Sequence, residues 1–175
     1  MAQYPDINGG ARVDDTFLSS MLDHWIIKPA DATPRVVNSI VNDPDLLFPV
    51  EANALYDVEM VIRFASLQAV GIRTAWTAPA GTTGNRLVGG PGSANVVQAD
   101  ANTTDMRWGV FSYGAAVGYT SPRNSTTLQT WLLEKALLAV GATAGNVTFQ
   151  WGQLVTNATG TIVNANSYIK YRRIG

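Results

Sequence analysis

The sequence contains no cysteine and a single histidine, His24. The first absence excludes disulfides, thiolate nucleophiles and cysteine-ligated metals. The second excludes every metal motif that needs two histidines, and it offers a Ser-His-Asp arrangement only one position, with no nucleophile motif beside it. Charge is scarce as well. Only 14% of residues are charged and the net charge is −1, so no basic stripe exists for a phosphate backbone to pull on. The densest basic cluster is Lys170, Arg172 and Arg173, which reads as solvated side chains on a strand. No apolar run reaches membrane-spanning length, and the longest, Trp131 to Val140, is broken by Glu134 and Lys135. The first residues lack the basic and apolar blocks of a secretion signal. On this reading nucleic acid and membrane drop out as partners, no cofactor or metal is expected, and the protein is made in a cytoplasm.

What the chain does have is alternation. Its 175 residues suit one domain, or one domain with an arm, large enough to bury a core without staples. Large apolar residues alternate with polar ones along Val147-Thr-Phe-Gln-Trp-Gly-Gln153 and again along Ser167-Tyr-Ile-Lys-Tyr-Arg-Arg173. Two neighbouring strands, each with one buried face, read this way, and the second is expected to close the fold. The clearest strand is Ala54 to Ala65. It places Tyr56, Val58, Met60, Ile62 and Phe64 on one face and Asp57, Glu59 and Arg63 on the other. Further strands are expected over Arg35–Val41, Leu46–Val50, Val70–Thr77 and Met106–Tyr119. Turns fall at Pro79–Gly84 and Ser121–Ser125, a hairpin-type loop at Gly141–Gly145, and a long loop over 85–103 with a short strand at Val96–Val97. Thr127–Val140 fits a helical stripe and a strand face equally well; its place between strands makes it a strand. The fold class that results is all-β, a β-sandwich or jelly-roll-like domain over 35–175.

The front of the chain reads differently. Residues 1–12 carry Pro5, Gly9 and Gly10 with no periodicity and suggest an extended arm. From the capping candidates Asp14, Asp15 and Thr16, the spacing of Phe17, Leu18, Met21, Leu22 and Trp25 predicts a short amphipathic helix. Such a helix is marginal alone and must lie against something. The expectation is therefore an attachment and oligomerisation segment over 1–34, with those five apolar residues as its interface and Trp25 as the anchor.

Candidate chemistry is thin. Asp57 and Glu59 are neighbours on one strand face, a spacing that suits a sugar or a cation but usually marks wet carboxylates. Asp43 with Asp45, and Asp100 with Asp105, offer loop oxygens to calcium without the spacing of a calcium loop. Gly89-Gly-Pro-Gly92 lacks the lysine and helix of a phosphate cradle. Of the tryptophans Trp25, Trp76, Trp108, Trp131 and Trp151, most sit in the apolar phase of their strands and are expected in the core.

The order of these features resembles a known group. Asn42-Asp-Pro-Asp-Leu-Leu-Phe-Pro-Val-Glu-Ala-Asn-Ala-Leu-Tyr56, Arg73-Thr-Ala-Trp-Thr-Ala-Pro-Ala-Gly-Thr82 and the two closing segments are similar to small virion structural proteins, of head-decoration or minor-tail type, of tailed phages of actinobacteria. The resemblance covers most of the chain from Asp14 onward, and its motifs are structural. It implies no catalytic residue. It implies a non-enzymatic building block: a homotrimeric capsid decoration or head-fibre-like protein, resident in the virion and docked through its N-terminal segment on the major capsid protein or another virion protein. The alternative is a tail-fibre or tail-tip protein that binds host-surface glycan through the loops at 85–102 and 121–126, with an exposed aromatic such as Tyr119.

Overall fold

A computed structural model describes residues 22–92 and 106–175. Among them the strands are β1 (His24–Ile27), β2 (Val41–Val50), β3 (Leu55–Ser66), β4 (Ile72–Thr77), β5 (Thr83–Pro91), β6 (Met106–Ser112), β7 (Val117–Tyr119), β8 (Ser125–Ala139), β9 (Gly145–Gln153), β10 (Ile162–Val163) and β11 (Tyr168–Arg173). All pairings are antiparallel. The larger sheet has the order β1-β11-β3-β8-β5-β6, with β10 also paired to β3; the smaller has the order β2-β9-β4-β7. With the β5–β6 hairpin and the short β10 set aside, successive strands alternate between the two sheets. This is the strand order of a jelly roll, here with one hairpin inserted between β4 and β7 that widens the larger sheet beside β8.

Alternation explains the core. Val58, Met60, Ile62 and Phe64 of β3 and Leu132, Ala136 and Leu138 of β8 face Phe48 of β2, Val147, Phe149 and Trp151 of β9, and Ile72 and Trp76 of β4 in one buried cluster. Each fully buried side chain of this kind contributes roughly 1.5–3 kcal/mol from apolar burial. Phe48 stacks on Tyr171 at 4.3 Å between ring centres, tying the edge strand β2 to β11. Asn53, Asn124 and Asn166 take positive φ in the connections, where asparagine tolerates the left-handed region.

Several sequence expectations change. Residues 24–27 are a strand paired with β11, so the expected helix does not extend to Trp25. Trp and Ile favour strands, and an available sheet edge outweighs a short stripe at helical spacing. The rest of that helix, with Phe17, Leu18 and Met21, lies outside the described residues, as do Val96 and Val97. Arg35 forms only an isolated bridge, to Thr161, and the strand starts at Val41. Residues 83–91 are a full strand, because β8 and β6 satisfy its backbone on both sides despite the glycines. Met106–Tyr119 is two strands in opposite sheets, and Gly141–Gly145 crosses between sheets instead of closing a hairpin. For the same reason the two closing alternations, β9 and β11, face each other across the core and are not neighbours. Thr127–Val140 is strand, as its position suggests.

Candidate interaction surface

The outer face of the larger sheet is built from four rows that the pairing register lines up. One row runs Ile27, Tyr168, Val61, Leu133, Gly89, Trp108 and is apolar across all six strands. The next, toward the chain ends of β3 and β8 that carry Arg63 and Trp131, brings those two together, with Met106 beyond them on β6. On the other side lies the row Trp25, Lys170, Glu59, Lys135, Leu87, Val110, and then Arg172, Asp57, Leu137, Asn85, Ser112. Trp108 is 57% exposed, Val110 65% and Trp131 48%. The Trp108 ring lies over Gly89, where any Cβ would overlap it. A glycine on β5 thus makes the bed for an exposed aromatic on β6.

The charges on this face neutralise one another locally. Lys170 Nζ lies 3.7 Å from Glu59, Lys135 Nζ 4.0 Å from Asp57 and Arg172 Nε 3.9 Å from Asp23. Glu59 and Asp57 are therefore paired surface carboxylates. A groove of about 510 Å³ runs along the seam between the charged and apolar halves, between Leu87, Val110 and Leu137 on one side and Asp57 and Arg172 on the other. The outer face of the smaller sheet has a different character. Asn42, Arg73, Thr77 and Gln150 point outward there, and Gln150 donates to Asn42 at 2.9 Å. A face with exposed large apolar side chains opposite a polar one marks the former as a candidate interaction site.

Two buried polar networks lie between the sheets. In the first, Glu134 of β8 accepts from Thr74 Oγ1 and Trp76 Nε1, each at 2.5 Å, from the Tyr119 hydroxyl at 3.0 Å and from Arg86 Nη1. Arg86 Nη2 donates to the carbonyls of Thr74 and Ala115. Burial first, and then the charge of Glu134, push the Tyr119 phenol far above its ordinary value. Burial, with Tyr56 adding to it, raises Tyr171. In the unfolded chain these phenols ionise near pH ~10. Above about pH 10 the unfolded state gives up protons that the folded state keeps, so their contribution to stability is whole below that pH and falls as pH rises. Urea midpoints measured from pH 8 to 11 should drop across the upper part of this range, and Tyr119→Phe should flatten the drop. A midpoint that is level to pH 11 contradicts this.

In the second network, Lys28 Nζ lies 3.0 Å from Asp43 Oδ1 and 2.5 Å from Asp45 Oδ2, and Trp151 Nε1 donates to Asp43 Oδ2 at 2.9 Å. The carboxylates weighed for calcium already hold an ammonium. Arg35 lies 3.8 Å above the Trp151 ring, and desolvation lowers its guanidinium from its ordinary value against the opposing pull of Asp43.

The structure places the other candidates as follows. Of the five expected interface residues, Leu22 and Trp25 are exposed, and Trp25 leans on Tyr168 at 5.0 Å on the large-sheet face; Phe17, Leu18 and Met21 lie outside the described residues. His24 stacks on Tyr171. Tyr119, expected exposed in a binding loop, is buried because Glu134 takes its hydroxyl. Trp108 and Trp131, expected in the core, are exposed because their phase faces outward. Among the described residues no three His, Asp or Glu side chains form a metal-holding group; Asp100 and Asp105 lie outside them.

No family model matches this chain, and no curated protein does either. Solved structures that share some likeness include that of the infectious bursal disease virus Gx strain, at 10% identity and a TM-score of 0.21, covering 88% of this chain and 36% of that one. Another is the infectious bursal disease virus VP2 subviral particle, at 7% identity and 0.19, covering 88% and 37%. The chain spans little more than a third of the length of these proteins. A likeness at this level carries no argument about this chain.

Proposed function

We propose that the chain is a non-enzymatic virion structural protein, a capsid-decoration or head-fibre-like part of a tailed phage, assembled in the host cytoplasm. One observation carries this reading. The outer face of the larger sheet has a row that is apolar across all six strands and exposed Trp108, Val110 and Trp131, which a single copy leaves wet, while the smaller sheet offers a polar face. A repeated part needs both, one face to bury in the assembly and one to display. The jelly roll suits such use, since its rigid double sheet serves capsid and lectin domains alike, although a fold alone does not assign a role. In this reading the N-terminal segment, with Phe17, Leu18, Met21, Leu22 and Trp25, attaches to the major capsid protein or another virion protein. Immunogold labelling of particles of the phage that encodes the chain tests it. Decorated virions are expected, and a chain left wholly in the soluble lysate overturns it.

A specific observation favours a second reading. Trp108 and Trp131 sit in adjacent rows with their rings exposed, an arrangement that can stack against sugar rings. A tail-fibre protein binding host-surface glycan would use them. Binding on a glycan array that is lost in Trp108→Ala and Trp131→Ala supports that role.

A further inference from the structure

We propose that the large-sheet face pairs with the same face of a second copy, about a two-fold axis that runs along the strands between β3 and β8 and sets Glu59 against Lys135 of the partner subunit. This rests on the reading that the face is buried in an assembly, and it specifies the occupant.

The argument comes from the register. The strand order β1-β11-β3-β8-β5-β6 has its midline between β3 and β8. Rotation by 180° about an axis along that midline turns one copy's face onto the other and keeps each row opposite itself. The apolar row then meets itself, with Val61 over Leu133 of the partner subunit. Glu59 and Lys135 are register partners on β3 and β8, so the same rotation places each over the opposite charge of the other copy. Arg63 and Trp131 are also register partners, and they exchange in the same way, cation over ring. The same rotation sets Lys170 over Leu87 and Asp57 over Leu137 of the partner subunit, so the match is carried by the apolar row and by the Glu59–Lys135 and Arg63–Trp131 exchanges.

Area permits the pairing. Six strands about 4.8 Å apart and rows spanning roughly 20 Å give a face of about 600 Å² in projection, close to the ~800 Å² of accessible surface per partner that stable pairs bury. Face-to-face sheets at about 10 Å with aligned strands are an ordinary packing.

The exchange of charges supplies the test, done on the full chain by sedimentation velocity. The wild type is expected as a dimer. Glu59→Lys alone sets Lys against Lys135 of the partner subunit. Lys135→Glu alone sets Glu against Glu59 of the partner subunit. Each is expected to weaken pairing on the order of tenfold or more. Mixed one to one, the two variants regain opposite charges at both positions, and the mixture should sediment as a dimer. A wild-type monomer, as when residues 1–21 or nothing covers the face, overturns the proposal. So does a trimer, the symmetry that the resemblance implies, and so does a mixture that stays monomeric. Particle labelling is independent of all three, so a failed pairing and a failed virion reading remain distinguishable.

Discussion

Glu134→Ala should lower the unfolding free energy by ~3–5 kcal/mol, because it leaves a buried guanidinium without its counter-charge. Arg86 and Glu134 are both fully buried. The substitution would also strand the Trp76 indole N–H and the Tyr119 hydroxyl, both of which donate to the same carboxylate. Against a total stability of about 5–15 kcal/mol for a domain, that loss is a large fraction. Urea unfolding of wild type and variant measures it, and a loss below ~1 kcal/mol would show that the network is incidental. The double variant Arg86→Met with Glu134→Leu should lose less than the sum of the two single changes, since neither charge is then left alone. Position matters as much as magnitude. Arg86 lies on β5 and its guanidinium reaches carbonyls of Thr74 and Ala115 beside the smaller sheet. It latches the inserted β5–β6 hairpin to the rest of the jelly roll. That hairpin carries Leu87, Trp108 and Val110, so Glu134→Ala should also loosen the interaction face and weaken self-association.

Much of the architecture could be read from alternation, and its failures have physical causes. β3 was legible because it is long and keeps one phase against a core; β8 fits a helical stripe equally well, and its place between strands made it readable. The partition between sheets was not, because a period of two says which residues are buried but not which sheet buries them. β9 and β11 look alike for that reason and lie on opposite sides of the core. Glycine misled at β5. Gly89 and Gly90 resemble loop residues, yet each is there because a ring needs the space: Trp108 outside, Tyr119 inside. Trp108 and Trp131 read as core from the apolar phase of their strands, but Trp131 shares its phase with Leu133 and Lys135, on the side opposite Leu132, Ala136 and Leu138. The buried network had a signal as well. Glu134 falls in phase with Leu132, Ala136 and Leu138, and Arg86 falls in phase with Val88. A charged residue in the buried phase of a strand requires a buried partner, and two such residues of opposite sign on the adjacent strands β5 and β8 name each other.

Asp43→Ala is the second large effect, at ~3 kcal/mol, because it leaves Lys28 buried with only a half-exposed carboxylate beside it. Lys28 is 1% exposed and Asp43 0%, whereas the Asp45 side chain is 35% exposed. Asp45 keeps part of the pair in this variant, which makes the loss smaller than at Glu134. The penalty should be nearly the same at low salt and at 1 M salt, since buried pairs are weakly screened, while self-association through surface charges should be salt-sensitive. Trp151→Phe separates the contributions. It keeps an aromatic ring under Arg35 but removes the donor to Asp43 Oδ2, and should cost about 1–3 kcal/mol. A second readout follows from position. Lys28 follows β1, Asp43 lies on β2 and Trp151 on β9, so one carboxylate fastens residues 28–40 across both sheets. Trypsin does not cut before proline, which protects the Lys28–Pro29 bond, so cleavage after Arg35 reports release of this segment. Cleavage there should be faster in Asp43→Ala than in wild type, with the core fragment intact. Equal rates would mean that the segment is held by its bridge to Thr161 and by the Arg35 contacts instead. If release is seen, then Asp43 is what joins residues 28–40 to the core of the jelly roll.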